Sequence, residues 1–442
     1  MYKKYIGIVI TGIILLIFAH QFYPQIFFDS SVYIGIAKQH LGQGGLNEHI
    51  RPPLYPLWLA PYLQISDIIP LQISIMIIQL GIYTISLLIW FQILTNLTKN
   101  EPLKFAAFAA IAFSTQVILA HATIMAESLG FVLTLLALWL TQKKQPYAAG
   151  LALGCAMLAK FFFGIILIQL LLMLPTVKNR IKATIAAILP LALYLITQSP
   201  TNPLKILQDA QYIASHAVGC TQLFHTPFLQ YLAQNLFDSV FLPIFVIMLF
   251  MNRERMLYAI LALIPFILVM KHPCTDPRYG LFILLPIILE VVTAWNKRKL
   301  HKAATKVVTI LIIIQLLLVG NAAFSQYNNA KNLDLFQSAY NEIANYTKDR
   351  PIASTTPFIT IPSNGTITIL YYPLYNSTLI QTLPDKLEDL VLIDTCTGDM
   401  MCPTDDSLCE TKTREFLQEI QSQYDLKINK STSYCRIELY EK

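Results

Sequence analysis

Residues 27–37 read FFDSSVYIGIA, and RPPLYP follows at 51–56. The apolar run MYKKYIGIVITGIILLIFA precedes them, long enough to cross a bilayer and without a small-x-small cleavage site, so it reads as a retained anchor. An acidic residue, Asp29, therefore stands at the head of a helix just outside a membrane. Asp29, Ser30 and Ser31 form a good helix start, because a carboxylate there accepts backbone N–H bonds and complements the dipole. Val32, Tyr33, Ile36, Ala37 and His40 recur at helical spacing, and Gly42, Gly44 and Gly45 end the run. Ten residues cannot span, so an amphipathic helix lying along the interface is expected. Pro52, Pro53 and Pro56 then lead into a second short helix, LYPLWLAPYLQ, whose Tyr55, Trp58 and Tyr62 share a face.

The rest of the chain fits a membrane body. Of its 442 residues 55% are hydrophobic and 13% charged, against about 25% charged in an ordinary globular domain. Eleven apolar runs fall at about 5–22, 68–94, 105–121, 123–141, 146–160, 161–176, 183–198, 238–252, 256–270, 279–295 and 307–324. With the N-terminus cytoplasmic, the segments between them on the inner side hold 16 of the 22 Lys and Arg of residues 1–324, as retention of positive charge requires. Loops 23–67, 199–237 and 271–278 then face outward, together with the tail. Residues 1–324 carry 22 basic and 10 acidic residues, residues 325–442 carry 10 and 16. A basic membrane domain (1–324) thus precedes an acidic extracytoplasmic one (325–442), and no basic cluster suited to nucleic acid is seen.

The tail mixes a helical pattern (NLDLFQSAYNEIANYTK) with strand-like runs (TITILYY, DLVLID, CRIELY), which suggests a small α/β or α+β domain. Cys396, Cys402, Cys409 and Cys435 lack zinc spacing, so two disulfides of undetermined pairing are expected, with Cys220 and Cys274 candidates for a third. Cys155 sits in a span, where core packing accounts for it.

Other charged residues gather on Asp29's side. Glu127, in HATIMAESLGF, is expected about a turn and a half into an apolar span, where an acid is costly. Lys160 precedes FFFGIILI at the outer junction of two spans; Arg278 and Tyr279 begin RYGLFILLP. Each has a structural alternative: Asp29 as a cap only, Lys160 snorkelling or holding Glu127, Arg278 paired with Asp276. Their coincidence on one side argues for a single outer site.

In their order, D-x-x-x-Y-x-x-x-A, RPPLYPLWLAP, MAESL, the basic residue before FFFGIILI and RYGLFILLP resemble the GT-C superfamily of polytopic glycosyltransferases, over roughly residues 1–295. The likeness is to members that use dolichyl- or polyprenyl-phosphate sugars, such as the lipid A aminoarabinose transferase and protein mannosyltransferases. It implies a helical polytopic fold of about eleven spans, with juxtamembrane helices in the first outer loop and a small outer domain. It implies an inverting transfer from a polyprenyl-phosphate sugar to a hydroxyl of a lipid, glycan or exported protein such as a pilin. Asp29 matches the family's catalytic acid. Arg278, then Lys160, are candidates to offset charge on the leaving phosphate; Arg51 is a further phosphate or sugar contact, and Tyr55, Glu127 and Tyr279 are further substrate contacts. Some relatives hold a divalent metal with paired acidic motifs, but the first such motif here is only DSS, and His121 and Glu127 lie on different helical faces, so no metal set is assigned. A plasma (inner) membrane with a periplasmic tail is the expected setting. The competing class is a transporter or lipid-linked-glycan flippase, against which no internal repeat is seen and the charges collect at one interface.

Overall fold

The structure, a computed structural model, describes residues 3–22, 28–46, 48, 51–65, 71–198, 202, 204, 208, 240–270, 280–296, 302–330, 333–370, 380–396, 402, 406–431 and 435–442. Arg278, Tyr279, Asp276, Cys220 and Cys274 lie outside the described residues.

Each of the eleven apolar runs contains a helix. In chain order they are α1 (Lys3–Phe22), α4 (Leu71–Leu97), the pair α5 (Glu101–Ala112) and α6 (Thr115–Ala122), α7 (Ala126–Gln142), α8 (Pro146–Ala159), the 3-10 turn Phe161–Ile166 continued by α9 (Leu167–Met173), α10 (Val177–Gln198), α11 (Phe241–Phe250), α12 (Arg253–Met270), α13 (Leu281–Trp295) and α14 (Lys302–Ala330). Between α1 and α4 stand α2 (Phe28–His40) and α3 (Leu54–Ile65). Among the described residues, two helices are long and apolar enough to cross a bilayer alone, with a third if α5 and α6, bent by 42°, form one broken span.

Small residues set the closest helix contact. A Cβ on Gly150 or Gly154 of α8 would collide with the Ala183 or Ala187 carbonyl of α10, so a small-xxx-small stripe lets the two backbones touch. Elsewhere buried donors meet carbonyls released at helix ends and bends. Tyr83 Oη donates to Ala112 O at 2.6 Å, where α5 ends, and Gln79 Nε2 donates to Thr123 O at 3.0 Å, where α6 ends.

The tail folds as α15 (Leu333–Thr347) and α16 (Ser407–Gln423) with strands β2 (Ile352–Ser354), β3 (Thr366–Ile369), β4 (Leu390–Asp394), β5 (Asp425–Ser431) and β6 (Arg436–Glu441). A sixth strand, β1 (Gly45–Leu46), comes from the loop after α2, giving the order β1-β3-β2-β4-β6-β5. The first three pairings are parallel and the last two antiparallel. β4 is buried throughout, as a central strand with parallel pairing should be, whereas edge strand β5 exposes Asp425, Lys427 and Lys430 and so discourages further pairing. Disulfides join Cys396 to Cys435 and Cys402 to Cys409. The first ties the chain just past β4 to the residue before β6, closing one end of that antiparallel ladder.

Three details depart from the sequence expectation. α2 begins at Phe28, so Asp29 lies in its first turn, where the dipole argument holds but the capping position does not. Nor does α2 keep the wet face of an amphipathic helix, since every residue from Ser30 to Lys38 is buried. Finally, Thr123 and Met125 are extended and interrupt the apolar run, so Glu127 falls in the first turn of α7 and not a turn and a half into a span. The carbonyl released at that break is the one Gln79 takes. His40 does end α2, and Gly42, Gly44 and Gly45 follow with φ of 70°, 73° and 89°, the left-handed region glycine favours.

Candidate active site

One apolar cluster brings the charged residues together. It contains Tyr33, Ile34 and Ala37 of α2, Tyr55 and Leu59 of α3, Ile124, Ala126 and Leu129 at the start of α7, and Ala159 at the end of α8. Asp29, Arg51, Glu127 and Lys160 each stand within four residues of a member. Burial of this core therefore assembles four charges from segments far apart in sequence.

The charges form two groups, one around Arg51 and one around Lys160. Arg51 Nη2 lies 2.8 Å from Asp29 Oδ1, and its Nε lies 3.5 Å from Glu48 Oε1. Lys160 Nζ lies 2.5 Å from Glu127 Oε1, whose side chain is only 2% exposed. Lys160 is extended, as the residue joining α8 to the 3-10 turn, which turns its side chain out of the helical register. The Arg51–Asp29 pair is more open, at 19% and 20% exposure.

Tyr33 stands between the pairs. Its ring faces the Arg51 guanidinium at 5.3 Å and meets Tyr55 edge-on at 5.0 Å. Burial pushes its phenol up to about 12; Lys160 and Arg51 pull it down, Asp29 and Glu127 push it up. All four charges thus act on one hydroxyl, which stays protonated at neutral pH. Tyr55 is pushed well above 10 by burial first, with Tyr33 and Glu127 adding to the rise. Burial also lifts the Glu48 carboxyl, with Arg51 lowering it and Asp29 raising it. Tyr55, Trp58 and Tyr62 line one face of α3, ring to ring at 6.1 and 5.0 Å, as their spacing requires.

The structure brings Asp29, Arg51, Tyr55, Glu127 and Lys160 together around one cluster. Arg51 sits directly on the acid, and Lys160 takes the Glu127 partnership that had been its structural alternative. Glu48 and Tyr33 were not singled out. Tyr33 had a usable signal, four residues after Asp29 on the same helical face; Glu48 had none.

Among the described residues no three His, Cys, Asp or Glu side chains converge, and the carboxylates of Asp29 and Glu48 share a guanidinium. His121 Nδ1 is engaged by the Val117 carbonyl at 2.7 Å, and the ring packs against Tyr83 and Phe131.

A cavity of about 310 Å³ lies elsewhere, lined by Thr141, Gln142, Gln169, Arg255, Tyr258 and Glu290 among others. Gln142 ends α7, 15 residues from Glu127, which puts the cavity about 22 Å along that helix from the charged cluster. There Glu290 Oε1 accepts from Gln169 at 3.1 Å and its Oε2 from Arg255 at 3.2 Å.

Compared with solved structures, the chain matches ArnT from Cupriavidus metallidurans, solved bound to undecaprenyl phosphate, with a TM-score of 0.61 at 10% identity over 99% of this chain and 98% of that one. The chain has the ArnT fold. The helical fold implied by the sequence resemblance is therefore the fold found, built of apolar helices. A weaker likeness, TM-score 0.46 at 12% identity, is to the mycobacterial arabinofuranosyltransferase AftD and extends over 41% of that chain. No family model and no curated protein matches the sequence.

Proposed function

We propose that this GT-C-fold protein is an inverting glycosyltransferase that moves a sugar from a polyprenyl phosphate to an acceptor hydroxyl of a lipid, glycan or exported protein. The observation that supports it is the Asp29–Arg51 pair set beside Glu127–Lys160 around the Tyr33 hydroxyl. ArnT, which shares the fold, was solved with undecaprenyl phosphate, and that lipid class is part of the proposal.

Asp29 takes the proton of the acceptor hydroxyl. The hydroxyl oxygen forms a bond to the anomeric carbon, and the bond from that carbon to the phosphate oxygen breaks, its electron pair leaving with the lipid phosphate. The departing phosphate gains charge, which fixed cations must offset in a site of low dielectric. Arg51 can turn a donor fork to phosphate while Glu48 keeps a hold on it. Lys160 supplies a second cation, and Arg278, with Tyr279, remains part of the proposal. Tyr33 and Tyr55 offer neutral hydroxyls to the sugar. We place this chemistry at the extracytoplasmic face of the plasma membrane, with 1–324 as the membrane domain and 325–442 as an outer domain on the same side as Asp29, joined through α14.

Purified protein in nanodiscs, given a panel of undecaprenyl-phosphate sugars, tests this by release of undecaprenyl phosphate. Asp29→Asn should lower turnover about 10²–10⁴-fold, the contribution of a general base, with thermal stability unchanged. Turnover surviving that substitution would refute the assignment.

A further inference from the structure

α2 is gripped from two sides. Tyr33, Ile34 and Ala37 belong to the membrane-side cluster, while Val32 and Ile36 enter the core of the tail with Leu46, Ile359 and Ile367. The turn Pro357–Thr360 and the loop after it pin the helix at two heights. Near its start, Thr360 Oγ1 donates to the Ser31 carbonyl at 2.7 Å, two residues from Asp29. Near its end, Lys38 Nζ donates to Ile361 O at 2.9 Å, Ser363 O at 2.8 Å and Asn364 Oδ1 at 3.3 Å. An ammonium has three donors, and here each meets a neutral oxygen. Between the pins there is no slack: a Cβ on Gly35 would stand 2.7 Å from Leu46 Cβ and 2.9 Å from Thr360 Cγ2.

A lysine that is 8% exposed needs a reason, because this side chain is almost never fully buried without a partner. The bland one is that it satisfies a tight loop. Yet the loop it satisfies belongs to a different layer from the helix it stands on. A 13-residue helix is marginal by itself, so the direction of its first turn is set by what holds it.

We infer that Lys38 is a positioning residue: its three hydrogen bonds to the 361–364 loop dock the tail on α2 and so fix Asp29 against Arg51. The tail is then a working wall of the site. This rests on the reading of Asp29 as the base, through which Lys38 would act without touching substrate.

The test uses the full-length protein in nanodiscs and the donor that wild-type turns over in the panel above. Lys38→Met should lower kcat about 10–100-fold, the cost of misplacing a reacting group by about 1 Å, with KM for the donor within about twofold. Backbone hydrogen exchange should quicken over 29–37 and 361–365 and stay unchanged over 146–159. Lys38→Arg, which restores the donors, should recover most of both effects. Thr360→Val, which removes the other pin, should shift exchange and kcat in the same direction, and it serves where Lys38→Met fails to fold. Unchanged exchange over 29–37 in both variants would overturn the inference, as would a kcat equal to wild type or a loss confined to KM. Should no donor be turned over by wild type, the glycosyltransferase reading fails and exchange alone judges the docking.

Discussion

Lys160→Met strips the ammonium from a carboxylate that is 2% exposed and 2.5 Å away. Charges about 4 Å apart attract by about 4 kcal/mol at an effective dielectric near 20. Removing one partner of a buried pair costs about 3–5 kcal/mol, because the other charge is left in a medium that does not solvate it. Neutralising both should be far milder, since Lys160→Met with Glu127→Gln leaves no charge behind. A double-mutant cycle, read as reversible unfolding in mixed micelles, should therefore give a large cost for Lys160→Met, a smaller one for Glu127→Gln and a double variant within about 1.5 kcal/mol of wild type. Activity of the double variant then separates two roles. If the pair is only a bolt between α7 and α8, turnover survives with stability; if Lys160 also offsets phosphate charge, turnover falls while the fold is kept, and the second outcome is expected. A Lys160→Met variant as stable as wild type would refute the reasoning, because it would mean that water reaches Glu127.

Three further outcomes can be checked. Removing Cys396–Cys435, which spans 39 residues, should destabilise the tail by about 4 kcal/mol, and removing Cys402–Cys409, which spans 7, by about 2 kcal/mol, from loop-closure entropy; paired serine variants followed by denaturant unfolding would show the ranking. Burial pulls the Lys38 ammonium down to about 8 from 10.5. Between those values the unfolded chain holds a proton the folded one lacks, so stability relative to Lys38→Arg should rise as pH climbs from 8 to 10.5, by up to about 3 kcal/mol, and should be flat below 8; denaturant midpoints at pH 7, 8 and 10 measure it. Topology is tested by a membrane-impermeant thiol reagent on intact cells, which should label cysteine placed at Ser422 in the tail and spare cysteine placed at Lys144 between α7 and α8.

Local chemistry was legible and long-range closure was not. The glycines after His40 and the aromatic face of α3 depend on neighbours a few residues away, and both stand where their spacing puts them. The break before Glu127 left no mark in the sequence, since Thr123, Ile124 and Met125 are as apolar as the helices they separate. The carbonyl released there is taken by Gln79, 44 residues upstream. β1 is two residues long and pairs with Thr366 and Ile367, more than 300 positions away, so no local pattern could announce it. β5, DLKINKS, carries three charges and reads as a loop until the edge of a sheet is seen to call for them. The cysteine pairing was open for the same reason: it is fixed by the β4–β6 register and by the position of α16, neither of which spacing encodes.

α2 shows what such a pattern can still say. An amphipathic helix needs a polar face, and the residues from Val32 to Ala37 offer no charged or amide side chain to make one. Six consecutive positions without such a group mean burial on every side, which requires a second layer over the helix besides the membrane domain. In this chain the acidic tail is the segment free to supply it, and β1 is the short strand by which the first loop joins the tail's sheet. The tight packing at Gly35 fits the same demand, because the missing side chain lets Leu46 and Thr360 approach the helix closely there. A carboxylate on such a helix cannot drift with a loop. Its freedom is that of the two cores that hold it, and that rigidity is what a base needs if it is to meet a hydroxyl at hydrogen-bond distance.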